Sequence, residues 1–243
     1  ALRGIGRAAA LIDLNRHGGA HPRIGAADVV PFIPLGGSQM EDCVRIARWV
    51  AGQTARRFAI PTYLYESAAY RPERRNLETL RRGQFEDLKE TIRADPSRLP
   101  DFGAPELHPT AGATAVGARG PLIAFNMNLN TPDVSIAKSL ARKIRASGGG
   151  LPCVKALGLF LPSRNLAQVS MNLTDFAATP LSVAFDAARS EAQALGAAIL
   201  ESEIVGLVPR AALESVDVEE LKISNFSPSL VLENRLAQAL AEG

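Results

Sequence analysis

The sequence predicts an α/β (α+β) protein built from two mixed halves, and three observations carry that expectation. Apolar residues make up 47% of the 243 positions, enough for a real core. Short runs rich in β-branched and aromatic residues alternate with stretches whose apolar residues recur at helical spacing. Over residues 121–208 the order strand, helix, strand, strand, helix, strand is that of a ferredoxin-like split βαβ unit.

Taken in order, the front half reads helix, strand, helix, strand as far as Glu66 and begins inside a helical pattern, so it reads as truncated at its start. Strands are expected over residues 28–35 and 60–65. Between them, Met40, Val44, Ala47 and Val50 or Ala51 form one stripe of a helix over residues 39–56, opened by a Ser38-x-x-Glu41 capping box. Residues 67–119 are rich in Arg, Pro and Gly and read as two short charged helices followed by a loop over residues 95–117, long enough to suggest function. In the second half, strands are expected over residues 122–129, 154–161, 167–173 and 199–208. The helix between the first two starts at Thr131-Pro132 as N-cap and N1, with Ile136, Leu140 and Ile144 on one face, and Thr179-Pro180 repeats that start.

Charge and composition exclude several classes. With 27 Lys and Arg against 25 Asp and Glu, the net charge of +2 is too small for a whole-surface nucleic-acid binder, and a small anion is the expected partner. The apolar runs fall well short of the roughly 20 residues a membrane helix needs. The opening ten residues lack the continuous apolar stretch of a secretory signal, so a cytoplasmic protein is expected. Cys43 and Cys153 stand far apart without a metal-binding grouping and read as buried thiols. Gly4-Ile5-Gly6-Arg7-Ala8-Ala9 fits a dinucleotide fingerprint, but no strand precedes it. Asn172-Leu173-Thr174 and Asn225-Phe226-Ser227 are chance matches to a glycosylation pattern.

The three histidines are His17, His21 and His108. In His17-Gly18-Gly19-Ala20-His21-Pro22-Arg23 the two histidines have the four-residue spacing of a helical metal site, yet Gly18, Gly19 and Pro22 break a helix there and no third ligand is evident. A polar, glycine-rich turn carrying His, His and Arg fits either a catalytic loop or a hydrogen-bonded structural one. Residues 101–114 hold too much Pro and Gly for regular structure. They offer Phe102, His108 and backbone donors to a flat heterocycle, or else serve as a linker. Arg71, Arg74, Arg75, Arg81 and Arg82 form a cationic cluster suited to carboxylates, or a solvated face. Asn126 and Asn128 share one face of their strand.

Read together, these segments resemble the glutamate formimidoyltransferase family, the transferase half of formimidoyltransferase-cyclodeaminase. The strings that carry the resemblance are His17-x-Gly19-x-His21-Pro22-Arg23-Ile24-Gly25-Ala26, Asp28-Val29 with Pro31-Phe32-Ile33-Pro34, Tyr63-Leu64-Tyr65, Arg81-x-Gly83, Pro100-Asp101-Phe102-Gly103, Gly112-Ala113-Thr114, Leu122-Ile123-Ala124-Phe125-Asn126, Asn165-Leu166-Ala167-Gln168-Val169-Ser170 and Val205-Gly206-Leu207-Val208-Pro209. The family's opening strands, with a Val-Pro-Asn-Phe-Ser-Glu-Gly-like motif, have no counterpart here. Neither has the cyclodeaminase domain, so a monofunctional transferase is implied.

The resemblance implies two ferredoxin-like split βαβ subdomains with a substrate cleft between them: residues 1–119, lacking the opening strands and carrying the folate loop, and residues 120–243. It implies tetrahydrofolate as co-substrate, glutamate as the small-molecule partner, a homodimer, and a place in histidine breakdown. His21 falls on the family's catalytic histidine, and Gly103, Ala104, Pro105, Glu106, Leu107, His108, Pro109, Thr110, Ala111 and Gly112 fall on its folate-binding segment, with Thr110-Ala111 departing from bulkier residues in relatives. The chemistry needs no metal, because a protonated formimidoyl carbon is already electrophilic. A neutral imidazole can take the proton from the attacking amine and deliver one to the leaving nitrogen. Arg23 is then a candidate for a substrate carboxylate or a structural ion pair, residues 71–82 for the folate tail, and His17 for support of His21. A folate-binding protein without turnover, a metal-dependent hydrolase on His17, His21 and His108, and formyl in place of formimidoyl transfer stand as alternatives.

Overall fold

The structure is a computed structural model that describes residues 1–18, 21–214 and 216–242. The chain divides into two compact units, Ala1–Gly120 and Pro121–Gly243. The first contains α1 (Leu2–Leu11), β1 (Val29–Phe32), α2 (Met40–Phe58), β2 (Thr62–Glu66), α3 (Leu77–Leu80), α4 (Gln84–Ala94) and β3 (Thr114–Ala118). Its sheet runs β1-β3-β2 and is parallel throughout. Each parallel neighbour therefore needs a crossover, which α2 and the α3–α4 segment supply.

The central strand of that sheet is the one the sequence hides. Residues 95–117 were expected to be a loop, yet Thr114-Ala115-Val116-Gly117-Ala118 lies between β1 and β2 with every residue buried. A parallel strand covered on both faces usually announces itself as a Val/Ile/Leu run. This one is built of small residues because its neighbours are large. A Cβ on Gly117 would lie 2.4 Å from the Tyr65 ring. Ala113 and Ala115 pack with Tyr63, Tyr65 and the α3–α4 residues Leu80, Leu88 and Ile92. On the other face Val116 and Ala118 pack with Leu64 and with Ala47, Val50 and Ala51 of α2.

The second unit contains β4 (Ile123–Leu129), α5 (Val134–Ile144), β5 (Val154–Leu161), β6 (Leu166–Leu173), α6 (Leu181–Ala194), β7 (Ile199–Val205) and α7 (Leu232–Ala241). The four strands lie in the order β5-β6-β4-β7, all antiparallel. Ile123, Phe125, Met127 and Leu129 alternate onto the core with Ala167, Val169, Met171 and Leu173. There they meet Leu140 and Ile144 of α5 and Phe185 of α6, as the period of two demands. The opposite face of the same strands is polar. Asn126 and Asn128 donate to Glu203 and Glu201 at 3.1 and 2.8 Å, and Gln168 donates to Asn128 at 2.9 Å.

Helix starts are corrected in three places. The box that opens α2 is one residue later than expected, with the Asp42 carboxylate accepting the Gln39 N–H, while the Ser38 hydroxyl closes the preceding turn on Leu35. Asp133, not Thr131, caps α5 by accepting the Ser135 N–H. Thr179 precedes α6 but spends its hydroxyl on the Pro152 carbonyl at 2.6 Å. At α2 and α5 a neighbouring polar side chain takes the place of the expected cap, whereas α6, with Pro180 at its N-cap, has no side-chain cap.

In the second unit β5 and α5 approach closely, and a Cβ on Gly158 would lie 2.2 Å from the Lys138 backbone nitrogen. Gly158→Ala should therefore destabilise the protein by about 1–3 kcal/mol through overpacking, measured by urea denaturation.

Candidate functional site

The histidine loop is held from both ends. On its entry side Leu14 is buried and donates its N–H to the Thr110 carbonyl at 2.8 Å, while the Asn15 side chain donates to the Pro109 carbonyl at 2.9 Å. On its exit side Ile24 is fully buried, its carbonyl accepts the Ala113 N–H, and Ala26 donates to the Ala111 carbonyl, each at 2.9 Å. Gly25 sits where a Cβ would lie 1.8 Å from the Ala113 carbonyl oxygen, so only glycine permits this pairing. Gly19 and Ala20 of the motif lie outside the described residues.

Those contacts join the loop before β1 to the loop before β3. Because β1 and β3 are parallel neighbours, both loops lie at the amino edge of the sheet. Open α/β sheets more often bind ligands beyond the carboxyl ends of their strands. His17, His21, Arg23, Asp28 and Arg81 line a depression of about 320 Å³ at this edge, with Ile12 and Leu14 as apolar wall. Both histidines are exposed.

Arg23 resolves toward the ion pair. Its two terminal nitrogens grip the Glu86 carboxylate at 2.7 and 2.8 Å, and the guanidinium also donates to the His17 carbonyl at 3.0 Å. The hydrogen bond from Arg23 holds the Glu86 carboxyl down at about 2. Arg23 thereby ties the histidine turn to α4, and Phe85 reinforces the tie by donating its N–H to the Arg23 carbonyl at 2.9 Å.

The arginine cluster does not act as one surface. Arg74 is buried, paired with Asp101 at 2.8 Å, and its guanidinium also donates to the Ser97 and Leu99 carbonyls. Asp101 in turn accepts the Leu64 N–H at 2.7 Å, so this pair covers the outer edge of β2. Arg71 donates to the Pro96 carbonyl, Arg75 and Arg82 are exposed, and Arg81 pairs with Asp28 inside the depression. Sequence reasoning assigned no role to Asp28, Glu86 or Asp101, and each proves to be the carboxylate that places an arginine.

The segment Gly103 to Gly112 is more tightly built than a linker. His108 and Gly112 exchange backbone hydrogen bonds at 3.1 Å, and the His108 Nδ1 accepts the Ala111 N–H at 3.0 Å. The amides of that turn are thus occupied within the chain. Phe102, expected to meet a heterocycle, packs instead against the α2 cluster near Gly52. What the segment presents outward is Gly103, Ala104, Pro105, Glu106 and Pro109, and Glu106 to Pro109 wall a second depression of about 280 Å³ with Lys89, Ile92 and Arg93 of α4. His108 faces this second depression rather than the one holding His17 and His21. Among the described residues no group of three or more His, Cys, Asp or Glu is arranged to hold a metal, and no helix is long and apolar enough to cross a membrane.

Comparison with known proteins places this architecture in a class. Residues 1–119 match the N-terminal subdomain of the formiminotransferase domain, and residues 124–228 match the formiminotransferase domain itself, so the chain belongs to the formiminotransferase family. It is similar to the glutamate formimidoyltransferase of Thermoplasma acidophilum, 46% identical over 241 residues that cover 98% of this chain and 79% of that protein. The glutamate formimidoyltransferase of Streptococcus pyogenes serotype M1 is 44% identical over 93% of this chain and 75% of its own length. The formimidoyltransferase-cyclodeaminase of Mus musculus is 43% identical over 88% of this chain, which spans 40% of that longer protein.

Two outcomes are expected from these contacts. Gly25→Ala should lower stability by about 1–3 kcal/mol, read by urea denaturation, because the methyl group has a backbone carbonyl and no flexible side chain to displace. The Glu86 carboxyl falls from its ordinary value of about 4.5 to about 2 on folding. Its contribution is therefore full above about pH 4.5 and disappears as pH falls towards 2. Melting curves of wild type and Glu86→Gln should differ at neutral pH and converge across that acid window.

Proposed function

We propose that the chain moves a formimidoyl group between N-formimidoyl-L-glutamate and N5 of tetrahydrofolate, with His21 as general acid and base. The observation that carries this reading is the direct hydrogen bonding of the loop before β1 to the turn His108–Gly112. It supports treating the histidine motif and the proposed folate segment as parts of one site.

In the forward direction a new C–N bond forms at the formimidoyl carbon and the bond to the glutamate nitrogen breaks. The His21 imidazole accepts the proton released by the attacking nitrogen and returns it to the departing glutamate nitrogen, so protons balance over the cycle. The reverse transfer uses the same groups in the opposite order. Arg23 and Glu86 hold the turn that carries His21, and Pro22 with buried Ile24 limits its movement, so the imidazole is presented from a tethered loop.

The co-substrate is read onto Gly103 to Gly112. The depression bounded by Glu106 to Pro109 is flanked by Lys89 and Arg93, four residues apart on one face of α4. Arg93 is paired with Glu106 at 2.6 Å and Lys89 donates to the Asn15 side chain at 2.5 Å, so a folate-tail carboxylate would have to exchange with these partners. Residues 1–119 and 120–243 are read as the two transferase subdomains. The strand order β5-β6-β4-β7 supports a ferredoxin-like arrangement for the second. A cytoplasmic homodimer acting in histidine breakdown completes the reading, on the strength of the family.

The test is an assay of the purified chain with tetrahydrofolate and N-formimidoyl-L-glutamate, following 5-formimidoyltetrahydrofolate. His21→Ala should lower kcat by about 10²–10⁴ while His17→Ala retains most turnover. Equal losses in both variants, or turnover with N-formylglutamate alone, would overturn the assignment.

A further inference from the structure

We infer that Arg81, oriented by Asp28, binds a carboxylate of the amino-acid substrate beside His21 and sets the enzyme's preference for a dicarboxylate. This rests on the transferase reading above and assigns a part of the site that the reading leaves open.

Two guanidiniums line the depression, and they are not equivalent. Arg23 is spent on Glu86, the His17 carbonyl and Gln84, with only 14% of its side chain exposed. Arg81 is 26% exposed. Among the described residues the single hydrogen bond of its guanidinium is the one from Nη2 to Asp28 Oδ2, and its Nε, like that of Arg23, is buried without a partner. A guanidinium carries five donors in a planar fork, and a one-pronged pair with a carboxylate leaves most of them for a second anion.

The fork is also held in place. Asp28 is fixed through its other oxygen, which accepts the Ile24 N–H at 2.7 Å, so the carboxylate that aims Arg81 is itself tied to the chain segment next to His21. The backbone at Arg81 is closed by its N–H on the Leu77 carbonyl at 3.1 Å and by its own carbonyl accepting the Gln84 N–H at 2.9 Å. The turn that follows needs Gly83 at φ +77, where an added Cβ would meet the Asp87 carboxylate at 2.3 Å. A donor group fixed on both the backbone and the side-chain side loses little freedom when a ligand arrives. Glu86 neutralises Arg23 from outside the lining, and Asp28 pairs with Arg81. An anion at this edge would therefore be held by the unused donors of Arg81 rather than by net charge.

The chemistry fits an N-acylated amino diacid. The reacting nitrogen of such a substrate must reach His21, which leaves a carboxylate a few bonds away to meet the Arg81 fork in the same depression. Arg81 then touches substrate and is a specificity-determining residue, whereas Asp28 acts through it and is a positioning residue.

The experiment uses the full chain and three substrates: N-formimidoyl-L-glutamate and its two monoamides, with the α- or the γ-carboxylate neutralised. Wild type should discriminate against both amides. Arg81→Ala should raise KM for the diacid by about 10- to 100-fold, the scale of one charge-assisted hydrogen-bonded contact, with KM for tetrahydrofolate within about twofold. It should also lose the discrimination against one of the two amides. Arg81→Lys, which keeps the charge without the fork, decides the matter if the alanine variant does not fold. Asp28→Asn should move KM for the diacid in the same direction by a smaller factor. An equal fall of kcat/KM for all three substrates, with amide discrimination intact, would make Arg81 merely structural and overturn the inference. No turnover by the wild type on any of the three would overturn the transferase reading, and this assignment with it.

Discussion

The site depends on one close contact: Gly25 against the carbonyl of Ala113, where an added Cβ would lie 1.8 Å away. That approach lets residues 24–26 exchange backbone hydrogen bonds with residues 111–113, and so locks the histidine loop to the turn preceding the central strand. Backbone groups at the edge of a buried sheet must find partners, and here each loop supplies them to the other. The result is that two stretches nearly ninety residues apart in sequence behave as one element. Gly112, at φ +66 and with its own Cβ position 2.2 Å from the Ile24 carbonyl, completes the same interlock from the opposite side.

Around that interlock the charged residues divide into structural and available ones. Arg74 with Asp101 covers the edge of β2, and Arg23 with Glu86 tethers the histidine turn to α4. Both arginines spend donors on a carboxylate and on backbone carbonyls of the fold, while Nε of each is buried without a hydrogen-bond partner. A nearly buried arginine without its carboxylate would be costly, which explains why these carboxylates accompany them. Arg81 departs from this pattern because, among the described residues, its guanidinium has no acceptor besides Asp28. On the polar face of the second unit's sheet the logic is different, with amide side chains of Asn126, Asn128 and Gln168 holding Glu201 and Glu203 in a hydrogen-bonded network.

What was legible in the sequence follows from how each feature is encoded. The second unit could be read because its strands alternate cleanly and its helices carry Leu140 and Ile144, or Phe185, at helical spacing. The strand β3 could not, because its burial is expressed through small side chains that fit under Tyr63 and Tyr65 rather than through large apolar ones. Helix caps slipped by one or two residues because Ser38 and Gln39, or Thr131 and Asp133, are locally interchangeable as acceptors and only tertiary contacts choose between them. The motif singled out His21, and the structure places it in a depression with His17, Arg23 and Arg81. The partners of Arg23 and Arg81 were not legible, since they lie 63 and 53 residues away and nothing in local spacing links them.

The central claim is that the loop bearing His21 and the segment from Gly103 to Gly112, which line two depressions and are joined by backbone hydrogen bonds, serve one ligand. It is tested most directly by following the ring resonances of the three histidines, His17, His21 and His108, in isotope-labelled protein as tetrahydrofolate is added. Each resonance is assigned by a single His→Gln variant. The account predicts that His21 and His108 shift together along one saturation curve. Movement of one without the other, or two curves with different midpoints, would show that the two loops serve separate purposes and would contradict it.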